Sequence, residues 1–295
     1  MNYSISYIIA TRNRLAFLTI TLGALIKEIQ AGEEIVVVDG DSTDGSREYL
    51  QQLFEQGKIH QFVSEPDRNQ AHAWNKAMLM AKGTVIKKII DDDVFCYSAI
   101  RECRDYMLEN DTVDVVISND LSSTLNNYKE IQQHSRLPQF QNWVSRETPS
   151  FTFGDVHMLI RKSSLAFIGL YQTDFVMIDW EYSLRISYLK ANIAYYTGYN
   201  ALSVAHPGTT TSKKNEKLIK SQGQRAGGLY GYKGDDAAIS AWSKVKISAG
   251  RLLNHTKKAG DVRAELPAIG ETYEFYYDYL SKVNGHNEFQ FIQGI

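Results

Sequence analysis

Residues 34–45 read EIVVVDGDSTDG, a run of β-branched residues that ends in a polar turn. Such a run is typical of a strand that is buried on both faces of a sheet. Ser42 or Thr43, together with Asp44, can cap the helix that is predicted to follow and to extend through Phe54. A buried strand followed at once by a helix indicates an α/β protein with a parallel sheet.

The same alternation continues on both sides of this stretch. Further strands are predicted at Ile5–Ala10, Ile59–Val63, Thr84–Ile90 and Val113–Ser118. Helices with apolar residues at helical spacing are predicted at Leu15–Ile29, Gln70–Ala81 and Tyr97–Leu108. We therefore expect a Rossmann-like, mainly parallel sheet that is flanked by helices.

Polar clusters follow the predicted strands, and each cluster begins where a strand ends. They are Thr11-Arg12-Asn13, Asp39-Gly40-Asp41, Glu65-Pro66-Asp67-Arg68 and Asp91-Asp92-Asp93. In open parallel sheets, ligands bind at the carboxyl ends of the strands. The sequence therefore predicts one ligand site along this edge.

The second half of the chain is less regular. Residues 119–150 are polar and weakly periodic, so we expect a long loop there, followed by a strand at Phe151–Arg161 and a helix at Phe175–Leu189. Residues 213–263 hold twelve Lys and Arg against four Asp and Glu. This segment and the Tyr-rich Glu271–Val283 predict a basic, mainly helical C-terminal appendage, residues 213–295.

Composition excludes several classes of protein. The chain has 295 residues, of which 43% are hydrophobic, enough for a buried core. Its net charge of −2 argues against a nucleic-acid partner for the chain as a whole, and its two cysteines, Cys96 and Cys103, exclude a disulfide scaffold or a four-cysteine zinc site. Neither a secretory signal nor a membrane-spanning run is recognisable. We expect a cytoplasmic protein, at most lying on the inner face of a membrane.

The Asp triplet that follows the fourth strand is the sharpest motif. Because residues i and i+2 of a strand point the same way, Asp91 and Asp93 can face one ligand while Asp92 points elsewhere. Two carboxylates suit Mg²⁺ or Mn²⁺, which bind one or two protein carboxylates together with substrate phosphates. The alternative is a solvated Asp run that caps the helix beginning near Tyr97, but a cap needs one Asp rather than three.

Asp39 ends the second strand, where a carboxylate can accept hydrogen bonds from a base or a ribose. No G-x-G-x-x-G follows the first strand, and G-x-x-x-x-G-K-[ST] does not occur in the sequence. A dinucleotide oxidoreductase and a P-loop enzyme are therefore disfavoured.

The order of these motifs resembles the family 2 glycosyltransferases, in the branch that builds bacterial surface polysaccharides. The matching segments are Tyr7–Arg14, Val37–Ser46, Ser64–Arg68, Ala73–Ala77 and Ile90–Val94. The resemblance covers roughly residues 3–212. It implies a GT-A fold for residues 1–212, with a nucleotide-sugar half of about 1–118 and an acceptor half of about 119–212.

The resemblance also implies roles for single residues. Thr11 and Asp39 match positions that bind the nucleoside, Arg68 matches a residue beside the base, and Asp91 and Asp93 match the ends of a metal-binding D-x-D motif, with Asp93 as the direct ligand. Further donor-binding residues implied by the match are Arg12, Asp41, Asp67, Lys76 and Asp92. Three positions depart from the family, since Asp41, Asn69 and Ala77 stand where many relatives have glycine.

Two more matches lie in the second half. Met177–Arg185 resembles the family segment that carries the catalytic base, which implies that Asp179 removes the proton of the acceptor hydroxyl. The alternative is that Asp179 caps a helix and that Glu181 and Arg185 form a surface pair. His206 matches a histidine that closes over the donor diphosphate or the metal; a lone His is as often structural.

These observations predict an inverting, Mn²⁺- or Mg²⁺-dependent glycosyltransferase that moves a sugar from a nucleotide-sugar donor, most simply a UDP-sugar, to a saccharide or lipid-linked acceptor. Two alternatives stay open: a nucleotidyltransferase and a non-catalytic nucleotide-sugar-binding protein. The first would need a glycine-rich loop after the first strand, and Thr11-Arg12-Asn13-Arg14 has no glycine.

The basic segment contains an apolar stripe at helical spacing, which Lys244, Lys246 and Arg251 flank. The stripe consists of Ile239, Trp242, Val245, Ala249 and Leu252. A basic amphipathic helix predicts peripheral contact with an anionic membrane. The alternatives are packing on the catalytic domain or on a second subunit in a homo-oligomer.

Overall fold

The computed structural model describes residues 3–206, 216–234, 266–285 and 288–294. Strands β1–β12 are Ile5–Thr11, Glu33–Asp39, Gln61–Ser64, Val85–Lys88, Val94–Phe95, Val115–Ser118, Asp120–Thr124, Gln132–His134, Met158–Arg161, Ile193–Tyr196, Ala201–Ala205 and Phe291–Gln293. Helices α1–α9 are Leu15–Glu28, Ser46–Glu55, Gln70–Met80, Tyr97–Glu109, Leu137–Val144, Leu165–Ile168, Ile178–Tyr188, Glu216–Tyr230 and Leu266–Gly285. Short 3₁₀ turns lie at Leu125–Asn127, Asp155–His157 and Lys162–Ser164.

The main sheet has eight strands in the order β12-β10-β6-β9-β4-β1-β2-β3. Strands β3, β2, β1 and β4 are parallel neighbours, and β10 is parallel to β6. Strand β9 runs antiparallel between β4 and β6, and β12 runs antiparallel at the edge. The predicted α/β architecture with a mainly parallel sheet is confirmed.

Helices cover both faces of this sheet, so alternate residues of a strand belong to different core layers. Tyr7 and Ile9 of β1 pack in the layer that contains residues of α1 and α4, while Ile8 packs in the layer that contains Trp74 of α3 and Trp143 of α5. This two-sided burial explains why β1 and β2 are apolar throughout.

The prediction of a long loop at residues 119–150 is wrong. This stretch contains β7, β8 and α5, and β7 and β8 belong to a second sheet in the order β5-β11-β7-β8. The sequence pattern did not indicate strand β7, because Asp120 and Ser122 line a cavity and do not pack in the core. They lie on either side of the buried Leu121. Polar residues at alternate positions of a strand are expected where the strand forms the wall of a site.

The C-terminal helix α9 packs against this second sheet. Its buried residues recur at helical spacing on one face: Ile269, Tyr273, Tyr276 and Leu280. They share a hydrophobic cluster with Val94, Leu121, Leu202 and Val204. Strand β12 extends the main sheet beside β10, so both described elements at the C-terminus pack on the body of the protein, while the domain boundary near residue 212 stays a prediction.

The proposed membrane stripe, residues 239–252, lies outside the described residues, since the structure describes none of residues 235–265. The part of the basic segment that is described, α8, packs against α7 through Tyr230, whose hydroxyl donates a hydrogen bond of 2.6 Å to Glu181 Oε1.

The packing of α9 can be tested by removing one buried side chain. Leu280 is 1% exposed, and we expect Leu280→Ala to lower the free energy of unfolding by about 2–5 kcal/mol, because it leaves a cavity in the shared cluster. Leu229 of α8 is 55% exposed, and Leu229→Ala is the matched control, with an expected change within about 0.5 kcal/mol. Urea unfolding gives both values, and equal effects of the two substitutions would contradict the packing described here.

Candidate active site

Polar residues from both halves of the chain meet in a cleft of about 870 Å³ at the carboxyl edge of the parallel strands. Seven of the residues predicted to bind donor or metal line it: Thr11, Arg12, Asp67, Arg68, Asp91, Asp92 and Asp93. Other parts of the lining come from the start of α3, from β11, from the segment around Asp174, and from Leu218 and Gln222 of α8. Four of the predicted residues, Asp39, Asp41, Lys76 and His206, are not among the residues lining the cleft.

Asp91 is held at the end of β1. The hydroxyl of Thr11 donates a hydrogen bond of 2.7 Å to Asp91 Oδ2, and the side chain is almost fully buried. Burial, reinforced by the charge of Asp92, raises the pKa of Asp91 to about 6, although Arg14 and the Thr11 hydroxyl act in the opposite direction.

Asp92 is paired within the protein. Its Oδ2 accepts a hydrogen bond of 2.7 Å from Arg14 Nη1 and lies 2.6 Å from His206 Nε2. Burial alone would raise the pKa of Asp92, but the hydrogen bond with His206 and the charge of Arg14 outweigh it, so the pKa lies below its usual range. His206 in turn stacks on Phe17, with ring centroids 4.9 Å apart. His206 therefore lies at the Asp triplet, but its Nε2 faces Asp92; its role as a metal ligand stays a prediction.

Asp93 is fixed from the second sheet, since its Oδ1 accepts a hydrogen bond of 2.7 Å from the backbone amide of Val204. Burial, and then the charges of Asp92 and Asp91, raise the pKa of Asp93 well above its ordinary value. Asp93 lines the large cleft and also a second cavity described below.

The donor set suits a hard divalent cation. Burial, and then the charge of Asp92, raise the pKa values of both Asp91 and Asp93, and a positive ion at these buried carboxylates would offset that cost. Within the described residues, no group of three or more His, Cys, Asp or Glu side chains is arranged to hold a metal ion by itself. Mg²⁺ and Mn²⁺ bind one or two protein carboxylates, and substrate phosphates and water complete their coordination.

Asp39 is not among the residues that line the cleft, and its role in donor binding stays a prediction. It is fully buried, its Oδ2 accepts hydrogen bonds from the Ser42 amide at 3.0 Å and the Ser64 hydroxyl at 2.6 Å, and the Ser42 hydroxyl donates to Oδ1. Asp41 in the same turn has φ of 61°, a left-handed conformation that favours glycine but is tolerated by Asp. This explains why relatives with glycine at position 41 can keep the same turn.

The loop between β3 and α3 is also held internally. Lys76 Nζ lies 2.6 Å from Asp67 Oδ1 and 2.9 Å from Glu65 Oε1. Asn69, which departs from the family pattern, accepts a hydrogen bond of 3.0 Å from the His72 amide at the start of α3 and donates one of 2.6 Å to the carbonyl of Thr173. Asn69 thus connects the loop that carries Arg68 to the segment that precedes Asp179.

A second cavity of about 370 Å³ joins the cleft, because Ile90, Asp93 and Ser203 line both. Asp179, at the start of α7, and the half-exposed Trp180 form part of its wall. The predicted base therefore lies in the wall of the second cavity, which shares Asp93 with the cleft.

Burial raises the pKa of Asp179 to about 6, with the charge of Asp155 as the second cause and Lys88 opposing it. Asp155 also lines the cavity; it accepts hydrogen bonds of 2.6 Å from Lys88 Nζ and 2.8 Å from the Tyr171 hydroxyl. By contrast, the buried Glu181 accepts a hydrogen bond from Arg185, which also donates hydrogen bonds to the carbonyls of Ile168 and Leu170, so the pair has a structural role.

Several residues of the site are not apparent from sequence. Tyr273 of α9 donates a hydrogen bond to the carbonyl of Asp92, and Asp155, which lines the second cavity, is paired with Lys88. Tyr273 and Asp92 are 181 positions apart, so no local pattern could join them. Arg14 could have been predicted as a site residue, because it belongs to the Thr11-Arg12-Asn13-Arg14 motif; in the structure it pairs with Asp92.

Comparison with known proteins identifies the family. The model of glycosyl transferase family 2 matches residues 6–169, more than half of the chain. An uncharacterized glycosyltransferase of Nostoc sp. is 30% identical over 133 residues, 44% of this chain and 40% of that protein. The Escherichia coli UDP-Glc:alpha-D-GlcNAc-diphosphoundecaprenol beta-1,3-glucosyltransferase WfgD is 23% identical over 139 residues, 47% of this chain and 51% of that protein. The chain thus spans about half, or less than half, of the length of each of these two curated relatives.

Solved structures agree over nearly the whole chain. Staphylococcus aureus TarS 1–349 in complex with UDP-GlcNAc has a TM-score of 0.60 at 17% identity and covers 96% of this chain and 82% of its own. The mannosyltransferase PcManGT from Pyrobaculum calidifontis, in complex with GDP-Man and Mn²⁺, has a TM-score of 0.55 at 16% identity, with 96% and 87% covered. The chain therefore belongs to glycosyl transferase family 2 and has the GT-A fold, as its motifs predicted.

Proposed function

We propose that the protein is an inverting, metal-dependent glycosyltransferase that moves a sugar from a nucleotide-sugar donor to a saccharide or lipid-linked acceptor. The observation that carries the proposal is that two joined cavities meet at Asp93, with the Asp triplet in one wall and Asp179 in the other. A donor diphosphate and an acceptor hydroxyl could occupy these cavities at the same time.

The large cleft is the proposed donor site. Arg12 and Arg68 are exposed and line it, so their guanidinium groups can reach a nucleotide diphosphate or stack on a base. A UDP-sugar is the proposed donor, supported by the UDP-GlcNAc complex of TarS and by the name of WfgD. The GDP-Man complex of PcManGT makes a guanine nucleotide the alternative.

Asp93 and Asp91 are the proposed ligands of Mn²⁺ or Mg²⁺, supported by the Mn²⁺ complex of PcManGT. When bound, the cation neutralises charge on the departing diphosphate. Asp92 keeps its own partners, Arg14 and His206, and so leaves its neighbours free to face the ligand.

Asp179 is the proposed general base. In a single displacement, the acceptor oxygen forms a bond to the anomeric carbon, the bond from that carbon to the diphosphate oxygen breaks, and the acceptor proton moves to Asp179. A carboxylate whose pKa is raised to about 6 accepts a proton more readily than an exposed one while staying ionised at neutral pH. The displacement inverts the configuration of the anomeric carbon.

The alternatives can be separated by experiment. The family match speaks against a nucleotidyltransferase, and a protein that binds nucleotide sugars without transfer would show donor affinity but no turnover. Among the residues that the structure describes, no helix is long and apolar enough to cross a membrane. A cytoplasmic location and peripheral membrane contact stay predictions.

Asp93 can be tested by its effect on metal-dependent nucleotide binding. We expect Mn²⁺ to increase the UDP affinity of the wild-type chain by about tenfold or more, and Asp93→Ala to remove that increase. Substitution of a residue that only hydrogen-bonds to a metal ligand already lowers metal affinity by about 10–100-fold. Calorimetry with UDP, with and without Mn²⁺, measures it. The control is Asp278→Ala, an exposed acid of α9. A metal effect that survives in Asp93→Ala would remove Asp93 from the proposed ligand set.

Asp179 can be separated from donor binding. We expect Asp179→Asn to keep the affinity for UDP and Mn²⁺ but to lower kcat by about 100-fold or more, because general base catalysis contributes about 10²–10⁴-fold. Steady-state kinetics with a UDP-sugar panel gives the value. Turnover close to that of the wild-type chain would transfer the role to another group.

The raised pKa of Asp179 predicts a pH dependence of kcat. The base must be deprotonated, so kcat should be half-maximal near pH 6 and level off about one pH unit above it. Burial raises the pKa of Asp91 to about 6 as well, but a bound cation keeps its ligands ionised. Donor affinity measured over the same pH range distinguishes the two groups. A kcat that is flat from pH 5 to 8 at constant donor saturation would contradict the assignment.

A further inference from the structure

The second cavity contains two buried polar atoms whose hydrogen-bonding capacity is not used. His157 is 3% exposed and Asp120 is 9% exposed, and both line the cavity. Among the described residues, neither His157 Nδ1 nor Asp120 Oδ1 finds a hydrogen-bond partner. Buried polar side-chain atoms in native proteins are nearly always paired, so two such atoms in one cavity wall indicate a ligand or ordered water.

Hydrogen bonds from neighbouring residues hold the Asp120 side chain and the turn that carries His157 in place. Arg136 Nε donates a hydrogen bond of 3.1 Å to Asp120 Oδ2, which leaves Oδ1 as the remaining acceptor of that carboxylate. Asn200 Nδ2 donates one of 3.0 Å to the carbonyl of His157, and the buried Lys87 donates to Asn200 Oδ1 and to the carbonyl of Val156. The turn that carries His157 is therefore rigid.

The two side chains are also close to one another, since His157 Nε2 lies 3.7 Å from Asp120 Oδ1 and 3.5 Å from Ser203 Oγ. Nδ1 belongs to the same imidazole ring as Nε2, so both unused atoms lie close enough together to contact hydroxyls of one small ring rather than the two ends of an extended ligand. A hydroxyl both donates and accepts, so it can satisfy a carboxylate oxygen or an imidazole nitrogen.

The charge of the wall restricts the ligand further. Four carboxylates line the cavity, those of Asp93, Asp120, Asp155 and Asp179; Asp120 is paired with Arg136 and Asp155 with Lys88, so the wall still carries an excess of negative charge. Burial lowers the pKa of His157, so its imidazole is neutral at physiological pH. A carboxylate or phosphate on the ligand would be repelled within this cavity.

We propose that Asp120 and His157 recognise two neighbouring hydroxyls of an uncharged acceptor sugar and so select the acceptor. This assignment rests on the proposed function, and it adds the chemical class of the acceptor ring and two residues that contact it. At about 370 Å³ the cavity is at the small end of ligand pockets, so it holds the reacting end of the acceptor, and the rest extends past Trp180 to solvent.

The probes are methyl glycosides of neutral hexoses, of N-acetylhexosamines and of uronic acids, because the natural acceptor is not identified. Saturation-transfer NMR with UDP and diamagnetic Mg²⁺ present measures their binding to the full chain. We expect at least one neutral methyl glycoside to bind and the uronates not to bind. Binding of a uronate as strong as that of its neutral counterpart, or of no neutral glycoside at all, would overturn the proposal.

Asp120→Asn is the sharpest variant. The amide oxygen stays with Arg136, so the amide nitrogen faces the cavity and a donor replaces an acceptor at nearly constant volume. We expect the affinity for the bound glycoside to fall at least about tenfold, the usual scale for a hydrogen bond to a charged group, while the affinity for UDP and Mg²⁺ stays unchanged. Unchanged glycoside affinity would overturn the proposal.

His157 provides a matched pair of variants. His157→Asn keeps a polar atom near the position of Nδ1, whereas His157→Gln keeps one near the position of Nε2 only. We expect the glycoside to bind His157→Asn more tightly than His157→Gln, and equal affinities would remove His157 from the site. UDP affinity in each variant reports whether the fold and the donor site are intact. If the wild-type chain does not bind UDP, the proposed function itself is contradicted.

Discussion

Burial of three adjacent carboxylates is the constraint on which the rest of the site depends. Asp91, Asp92 and Asp93 are each 5–6% exposed and begin three residues after the end of strand β4. Charges withdrawn from water are tolerated only where other groups compensate them. Thr11 compensates Asp91, Arg14 and His206 compensate Asp92, and the Val204 amide bonds to Asp93. The cost that remains, from burial and from the charge of Asp92 beside Asp91 and Asp93, favours a cation at the position where the proposed mechanism needs one.

This constraint also explains why distant parts of the chain pack together. Phe17 of α1 stacks on His206, and the hydroxyl of Tyr273 in α9 donates a hydrogen bond to the Asp92 carbonyl. The second sheet supplies Val204 and, on its other side, the wall of the smaller cavity. Helix α9 therefore stabilises the Asp triplet as well as a hydrophobic cluster, so its loss would disturb the proposed donor site.

The sequence predicts those features that arise from local patterns. The apolar strands β1 and β2, the turn after Asp39 and the Asp triplet are contiguous motifs, and the family and fold follow from their order. Strand β7 was missed because its polar residues face a cavity, so its alternation does not separate core from solvent. The antiparallel β9, the contact of Tyr273 with Asp92 and the pair of Asp120 and His157 depend on tertiary packing, which no window of the sequence contains.

The most direct test of the central claim is the coupling between cation and nucleotide at the Asp triplet. Mn²⁺ binding to the wild-type chain can be followed by electron paramagnetic resonance, with and without saturating UDP. If the carboxylates supply part of the coordination and the diphosphate completes it, UDP should tighten Mn²⁺ binding by about tenfold or more beyond the formation of Mn²⁺–UDP in solution, and Mn²⁺ should tighten UDP binding by the same factor. Mn²⁺ affinity that is the same with and without UDP would contradict the account.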